Sequence, residues 1–143
     1  MVERVREGRR GLGRGQRVHG VVFQGMGEPL ANLDRVLRAI EVLTDPCAQP
    51  VDARASTVCT SGLPTGILRL AKEAPRVRLG VSIGSAIAGD RASLMPIDTT
   101  HPPDEVLEAA AVPARATRSA PTCALPPPAG QNDPPAPARP CPH

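Results

Sequence analysis

"VVFQGMGEPLANLDRV", residues 21–36, decides how the chain is read. Val21, Val22 and Phe23 form a short apolar run that stops at Gly25-Met26-Gly27-Glu28-Pro29, and glycine and proline both weaken a central strand. From Leu33 onward the apolar residues Leu33, Val36, Leu37, Ile40 and Leu43 recur at three- and four-residue steps, the spacing of an amphipathic helix. Asn32 or Asp34 can cap this helix, which is expected to end near Asp45-Pro46. The stretch is therefore a buried strand, a loop and a helix. Loops at the carboxyl ends of parallel strands are where α/β proteins gather ligand-binding groups. Taken alone, Gly25 and Gly27 read equally well as a tight turn.

The same order repeats. "VHGVVF" (18–23), "STVCT" (56–60) and "VRLGVS" (77–82) are strand candidates, each followed by a turn and a helical pattern. After the second, Pro64 suits a first helical position, and Ile67, Leu68 and Ala71 offer an apolar face before Pro75. After the third, Pro103-Asp104 opens a short helix carrying Val106, Leu107 and Ala110. A βαβαβα order implies parallel strands, because a helical crossover returns the chain in the same direction. Three strands leave sheet edges and one face to be covered by something else.

Ten of the 18 prolines fall at or after Pro113, in a segment almost without branched or aromatic apolar residues. Such a segment buries too little surface to offset the entropy of ordering it. The chain is thus expected to divide into a basic helix or loop (1–17), an α/β unit (18–112) and a disordered Pro/Ala-rich tail (113–143). The net charge of +3 permits an anionic partner, and Arg4, Arg6, Arg9, Arg10, Arg14 and Arg17 cluster at the start. A solvated helix face is the plainer reading of that cluster, since Phe23 is the sole aromatic and no ring is available to stack on bases. No run of 18 or more apolar residues exists and the N-terminus lacks the apolar core of a signal peptide, so a cytoplasmic protein is the default; a monomer without membrane contact is expected. Cys47, Cys59, Cys123 and Cys141 form no Cys-x-x-Cys pair, and His19, His101 and His143 stand at no ligand spacing, which argues against zinc and against a disulfide framework.

"VVFQGMGEPLANLDRVLRAIEVLTDP", followed by "STVCTSGLPTGILRLAKEAPRVRLGVSIGSA" and "SLMPID", resembles the radical S-adenosylmethionine enzymes that methylate carbon 2 of an adenine in 23S ribosomal RNA and, in bacteria, often of transfer RNA. The resemblance spans about residues 17–111, with the motifs in the right order and spacing. It implies part of a TIM-like partial (βα)6 barrel, here about three βα units. It also implies S-adenosylmethionine as cofactor, a 4Fe-4S cluster in the intact enzyme and RNA as partner. By this resemblance Gly27 and Glu28 lie against the amino-acid end of S-adenosylmethionine: glycine lets the backbone approach, and the carboxylate accepts charge-assisted hydrogen bonds from the α-amino group. Ser82, with Ile83 and Gly84 after it, matches a family segment that contacts the cofactor, and Cys59 falls at another such position.

Two departures stand out. Cys59 replaces a usual serine, a weaker hydrogen-bond partner in its place, and Ser82-Ile83-Gly84 stands where Ser-Leu-His is usual. The family holds its cluster with Cys-x3-Cys-x2-Cys upstream of the Gly-Glu loop, yet no cysteine precedes Met26. Cys123 and Cys141 match neither of the two further cysteines the family uses for methyl transfer. The expectation is therefore a family fragment without catalytic competence of its own. A stand-alone nucleoside-binding module and the product of a broken gene are the alternatives.

Overall fold

A strand sends alternate side chains to opposite faces, and in this chain the alternation sorts cleanly. The computed structural model describes residues 1–47, 50–82, 101–117 and 121–124. Helix α1 (Val2–Arg10) leads into strand β1 (Val22–Phe23), then a 3-10 turn (Pro29–Asn32) and helix α2 (Leu33–Thr44). A second 3-10 turn (Ala53–Ala55) precedes β2 (Thr57–Thr60) and α3 (Pro64–Glu73). Strand β3 (Arg78–Ser82), helix α4 (Pro103–Thr117) and strand β4 (Thr122–Ala124) complete the described elements. The four strands form one sheet in the order β1-β2-β3-β4, every pair parallel.

Register fixes the faces. Phe23 pairs with Val58 and Val58 with Leu79, while Thr60 pairs with Val81. Phe23, Val58, Leu79 and Val81 are buried against the helices, together with Leu33, Val36, Ile40 and Leu43 of α2, Ile67 and Leu70 of α3, and Val106, Ala109 and Ala110 of α4. The intervening residues Val22, Thr57 and Arg78 align on the opposite face, with Cys59 and Ser82 further along it. That face is open: Val22 is 53% exposed.

The amino ends of the strands are tied by one buried hydroxyl. Ser56 Oγ accepts from Val21 N at 3.3 Å and donates to the Asp52 carbonyl at 2.9 Å. Its own carbonyl accepts from Arg78 N at 2.9 Å, so a single residue joins the approaches to β1, β2 and β3. Beside it the chain before β1 passes so close to the second 3-10 turn that a Cβ on Gly20 would sit 2.0 Å from the Ala55 carbonyl oxygen. Only glycine fits there.

The structure corrects several details of the sequence reading. The three expected strands are present, and among the described residues a fourth joins them: β4 falls inside the proline-rich segment read as a disordered tail. All three of its side chains are exposed, so it carries no apolar alternation to betray it. Helix α4 runs through Pro113 to Thr117; a proline forfeits one backbone hydrogen bond without always ending a helix. In α3 and α4 the apolar faces are turned from the expected ones. Leu68 and Leu107 are exposed, while Leu70 and Ala109 take the buried positions. Ile67 and Val106 take the buried positions at the centre of each stripe, which turns the neighbouring Leu68 and Leu107 toward solvent. Asn32 holds the N-cap position of α2 but makes no side-chain cap bond.

Candidate functional site

Glu28 caps the 3-10 turn instead. Its Oε1 accepts from Leu30 N at 2.9 Å, closing the turn in which Pro29 supplies a preset φ. Its Oε2 reaches across to the loop after β2, accepting from Ser61 N at 2.8 Å and from Ser61 Oγ at 2.7 Å. The carboxylate is therefore a brace between two loops at the carboxyl ends of adjacent strands. A carboxylate offers about four acceptor positions, so three are used and one remains. Sequence reasoning missed Ser61; the Thr60-Ser61-Gly62 strand end was its signal. Gly62 turns there at φ +121°, and its N–H donates to Thr60 Oγ1 at 3.0 Å.

Around this brace opens a recess of about 380 Å³, within the usual range for small-molecule sites of about 300–1,000 Å³. Its walls are the loop from Gln24 to Pro29, the end of β2 at Cys59, Thr60 and Ser61, and Ser82 at the end of β3. Gly27, Glu28, Cys59 and Ser82, separated by up to 55 positions in sequence, thus share one small recess. Ile83 and Gly84 lie outside the described residues. Among the described residues no lysine, arginine or histidine lines the recess.

The electrostatics follow from that lining. Burial pushes the Cys59 thiol above its ordinary value, and the Glu28 charge pushes it in the same direction. Both causes disfavour a second negative charge in the recess, and a negative potential there suits a cationic ligand. Cys59 also faces Gly80 on β3, where a Cβ would come within 3.0 Å of its Sγ. Because alkylation needs the thiolate, iodoacetamide at neutral pH should modify Cys59 several-fold more slowly than the exposed Cys47. Peptide mapping of partially alkylated chain checks this, and faster modification at Cys59 would contradict a negative recess.

Comparison with known proteins agrees with the geometry. The chain is 58% identical over 137 residues to a probable RNA methyltransferase of Sorangium cellulosum, covering 93% of this chain and 35% of that protein. It is 46% identical over 110 residues to the dual-specificity RNA methyltransferase RlmN of Syntrophobacter fumaroxidans, covering 77% of this chain and 32% of that one. The crystal structure of a radical SAM methyltransferase from Sphaerobacter thermophilus superposes with a TM-score of 0.76 at 32% identity, covering 86% of this chain and 36% of that one. The chain is homologous to part of the RlmN-type RNA methyltransferases. It spans about a third of the length of these relatives. No family model matches it.

Within this RlmN-like segment the two cofactors of the radical SAM class fit differently. The recess suits S-adenosylmethionine, whose α-ammonium and sulfonium groups are both cationic: it has a carboxylate with an unused acceptor position, hydroxyls at Ser61 and Ser82, and open space beside Gly27. An iron-sulfur cluster does not fit the residues present. Cys47 and Cys123 are exposed and Cys59 is half-buried, and no group of three or more potential metal ligands comes together among the described residues. Nor does the sequence contain Cys-x3-Cys-x2-Cys anywhere.

Proposed function

We propose that this chain is the S-adenosylmethionine-holding segment of a radical S-adenosylmethionine methyltransferase that modifies carbon 2 of an adenine in 23S ribosomal RNA, and in transfer RNA as a second substrate. The observation that carries the reading is the braced carboxylate: Glu28, held by Ser61 and Leu30, sits at the carboxyl ends of parallel strands in a recess that no described basic residue lines. Gly27 leaves room for the ligand, Glu28 accepts from its α-ammonium group, and the Ser82 hydroxyl offers a further polar contact. Cys59 lies against the bound molecule as a neutral thiol, a softer and weaker hydrogen-bonding surface than serine would give.

By itself the chain binds the cofactor without cleaving it, since the reductive step belongs to a 4Fe-4S cluster whose ligands these 143 residues do not provide. The intact enzyme is read as cytoplasmic; among the described residues no helix is long and apolar enough to cross a membrane.

Titration calorimetry with S-adenosylmethionine, together with anaerobic reconstitution by iron and sulfide, tests both halves. The expected result is saturable binding, no stoichiometric iron and no 5'-deoxyadenosine. Absence of binding by a folded chain would remove the recess assignment. Stoichiometric iron with cofactor cleavage would remove the claim that the chain alone is incompetent.

A further inference from the structure

The two ends of the sheet carry opposite charge. At the carboxyl end the recess contains Glu28 and, among the described residues, no basic one. At the amino end the chain brings arginines up to each of the first three strands in turn. Arg17 precedes β1, Arg54 precedes β2, and Arg76 and Arg78 open β3. All four are exposed, and none makes a side-chain hydrogen bond or ion pair with another described residue.

Backbone pairing ties together the segments that carry these residues. The carbonyl of His19, two positions after Arg17, accepts from Asp52 N at 2.8 Å, which fixes the approach to β1 against the turn bearing Arg54. Arg78 N donates to the Ser56 carbonyl at 2.9 Å, and Arg78 pairs in register with Thr57, which pairs with Val22. With neighbouring strands about 4.8 Å apart, the three approaches lie across roughly 10 Å of a stiff edge, with the arginines staggered along the strand direction. Among the described residues Asp45, Asp52, Glu73 and Glu41 are acids near this end, and Glu41 lines a cavity together with Arg76. The Asp52 and Asp45 carboxylates cap the backbone at Arg54 N and Cys47 N, both at 2.8 Å, and Glu73 is taken up by Arg69 at 2.6 Å. Asp45, Asp52 and Glu73 thus each make a local contact, whereas the guanidinium groups of the row make none with a described residue.

We propose that this amino-end row of Arg17, Arg54, Arg76 and Arg78 is a docking surface for the sugar-phosphate backbone of RNA, separate from the recess that holds the small cationic ligand. The choice of RNA rests on the reading of the chain as part of an RNA methyltransferase. The guanidinium fork binds phosphate oxygens in pairs, and arginine is the residue used at every position of the row. With no aromatic residue at this end, the contact follows the backbone and is indifferent to base sequence. The two ends of the sheet are close on the scale of RNA. Five residues of β3 at about 3.3 Å each span roughly 16 Å, under half of the ~34 Å turn of a duplex. A folded RNA resting on the amino end can therefore present a nucleotide at the opposite rim.

The test uses the full chain and a fluorescently labelled 20-nucleotide unstructured RNA, with binding followed by polarisation across a potassium chloride series. Replacing Arg17, Arg54, Arg76 and Arg78 with alanine together should weaken binding by between about tenfold and a few hundredfold at 0.1 M salt. It should also flatten the slope of log K against log salt by about 2 to 3, at roughly 0.7 per lost phosphate contact. A charge-matched control replaces Arg4, Arg6, Arg10 and Arg35 on the outer helices and should lose far less. Equal losses in the two variants would reduce the effect to net charge and overturn the docking surface. So would unchanged binding in the first, with circular dichroism confirming that both are folded. Polyglutamate competing as well as RNA at equal charge would overturn the assignment to RNA. Calorimetry with S-adenosylmethionine keeps this proposal apart from the recess assignment: the row variant should bind the cofactor as the parent does, and a parent that binds RNA but no cofactor fails only the latter.

Discussion

Replacing Glu28 with glutamine is expected to lower S-adenosylmethionine affinity roughly ten- to a hundredfold, the equivalent of the 1.5–3 kcal/mol that a hydrogen bond to a charged group contributes. The structure adds a second cost. Glu28 accepts three hydrogen bonds, two from Ser61 and one from Leu30 N. A glutamine has one acceptor oxygen. If that oxygen turns to Ser61, its amide N–H groups oppose the Leu30 N–H, leaving a donor facing a donor. The loss of a partner to a part-buried backbone group costs about 1–3 kcal/mol of stability, so the variant should remain folded but unfold at lower denaturant concentration. Ser61→Ala separates the two effects. It removes the hydroxyl donor, keeps the charge and frees an acceptor position on Oε2, so it should lose stability while retaining affinity for the cofactor. Calorimetry beside denaturant unfolding of the three proteins is the measurement. Equal cofactor affinity in Glu28→Gln and its parent would remove the carboxylate from ligand binding and leave it as a loop brace alone.

The first three strands and their parallel order were legible in the sequence because each depended on local chemistry, whereas Gly27, Glu28, Cys59 and Ser82 were singled out by the family resemblance and the structure places all four on one recess. Apolar runs ending in glycine and proline mark strand ends wherever they occur, and strand ends of one parallel sheet lie on one rim. What it did not disclose depended on partners distant in sequence. Ser61 is an ordinary turn residue until the loop 33 positions earlier is folded against it. The faces of α3 and α4 were misassigned at Leu68 and Leu107 because periodicity gives the spacing of an apolar stripe, while packing against the sheet decides its angle. Strand β4 was hidden for a related reason. An edge strand with exposed side chains is held by its backbone pairing to Gly80, Val81 and Ser82, and backbone pairing leaves no mark on composition. The row of arginines at the amino end was visible only in part. The cluster near the first residues drew attention, but Arg54, Arg76 and Arg78 join Arg17 only once the strands are laid side by side.

The same substitution at two glycines should have opposite consequences. Gly20→Ala is expected to abolish the fold. Its methyl group would lie 2.0 Å from the Ala55 carbonyl oxygen and 2.6 Å from the carbonyl carbon, and both are backbone atoms that no rotamer change can move aside. Relief would require shifting either the approach to β1 or the second 3-10 turn. The bonds that join them, Asp52 N to the His19 carbonyl at 2.8 Å and Val21 N to Ser56 Oγ at 3.3 Å, would then be broken along with the burial of Val51 and Ala53. The combined loss is of the order of 4–5 kcal/mol or more, comparable with the whole stability of a small domain. Gly27→Ala meets nothing within 4 Å in the protein itself, and its backbone does not have a positive φ. The fold should therefore survive with its unfolding midpoint little changed. Gly27 nevertheless lines the recess, so a methyl group there competes with the ligand for space, and S-adenosylmethionine affinity should fall about tenfold or more. Far-ultraviolet circular dichroism and calorimetry on both variants decide the matter. A folded Gly20→Ala chain would show that the close approach at Ala55 can relax, and undiminished cofactor binding by a folded Gly27→Ala chain would place the ligand elsewhere on the rim.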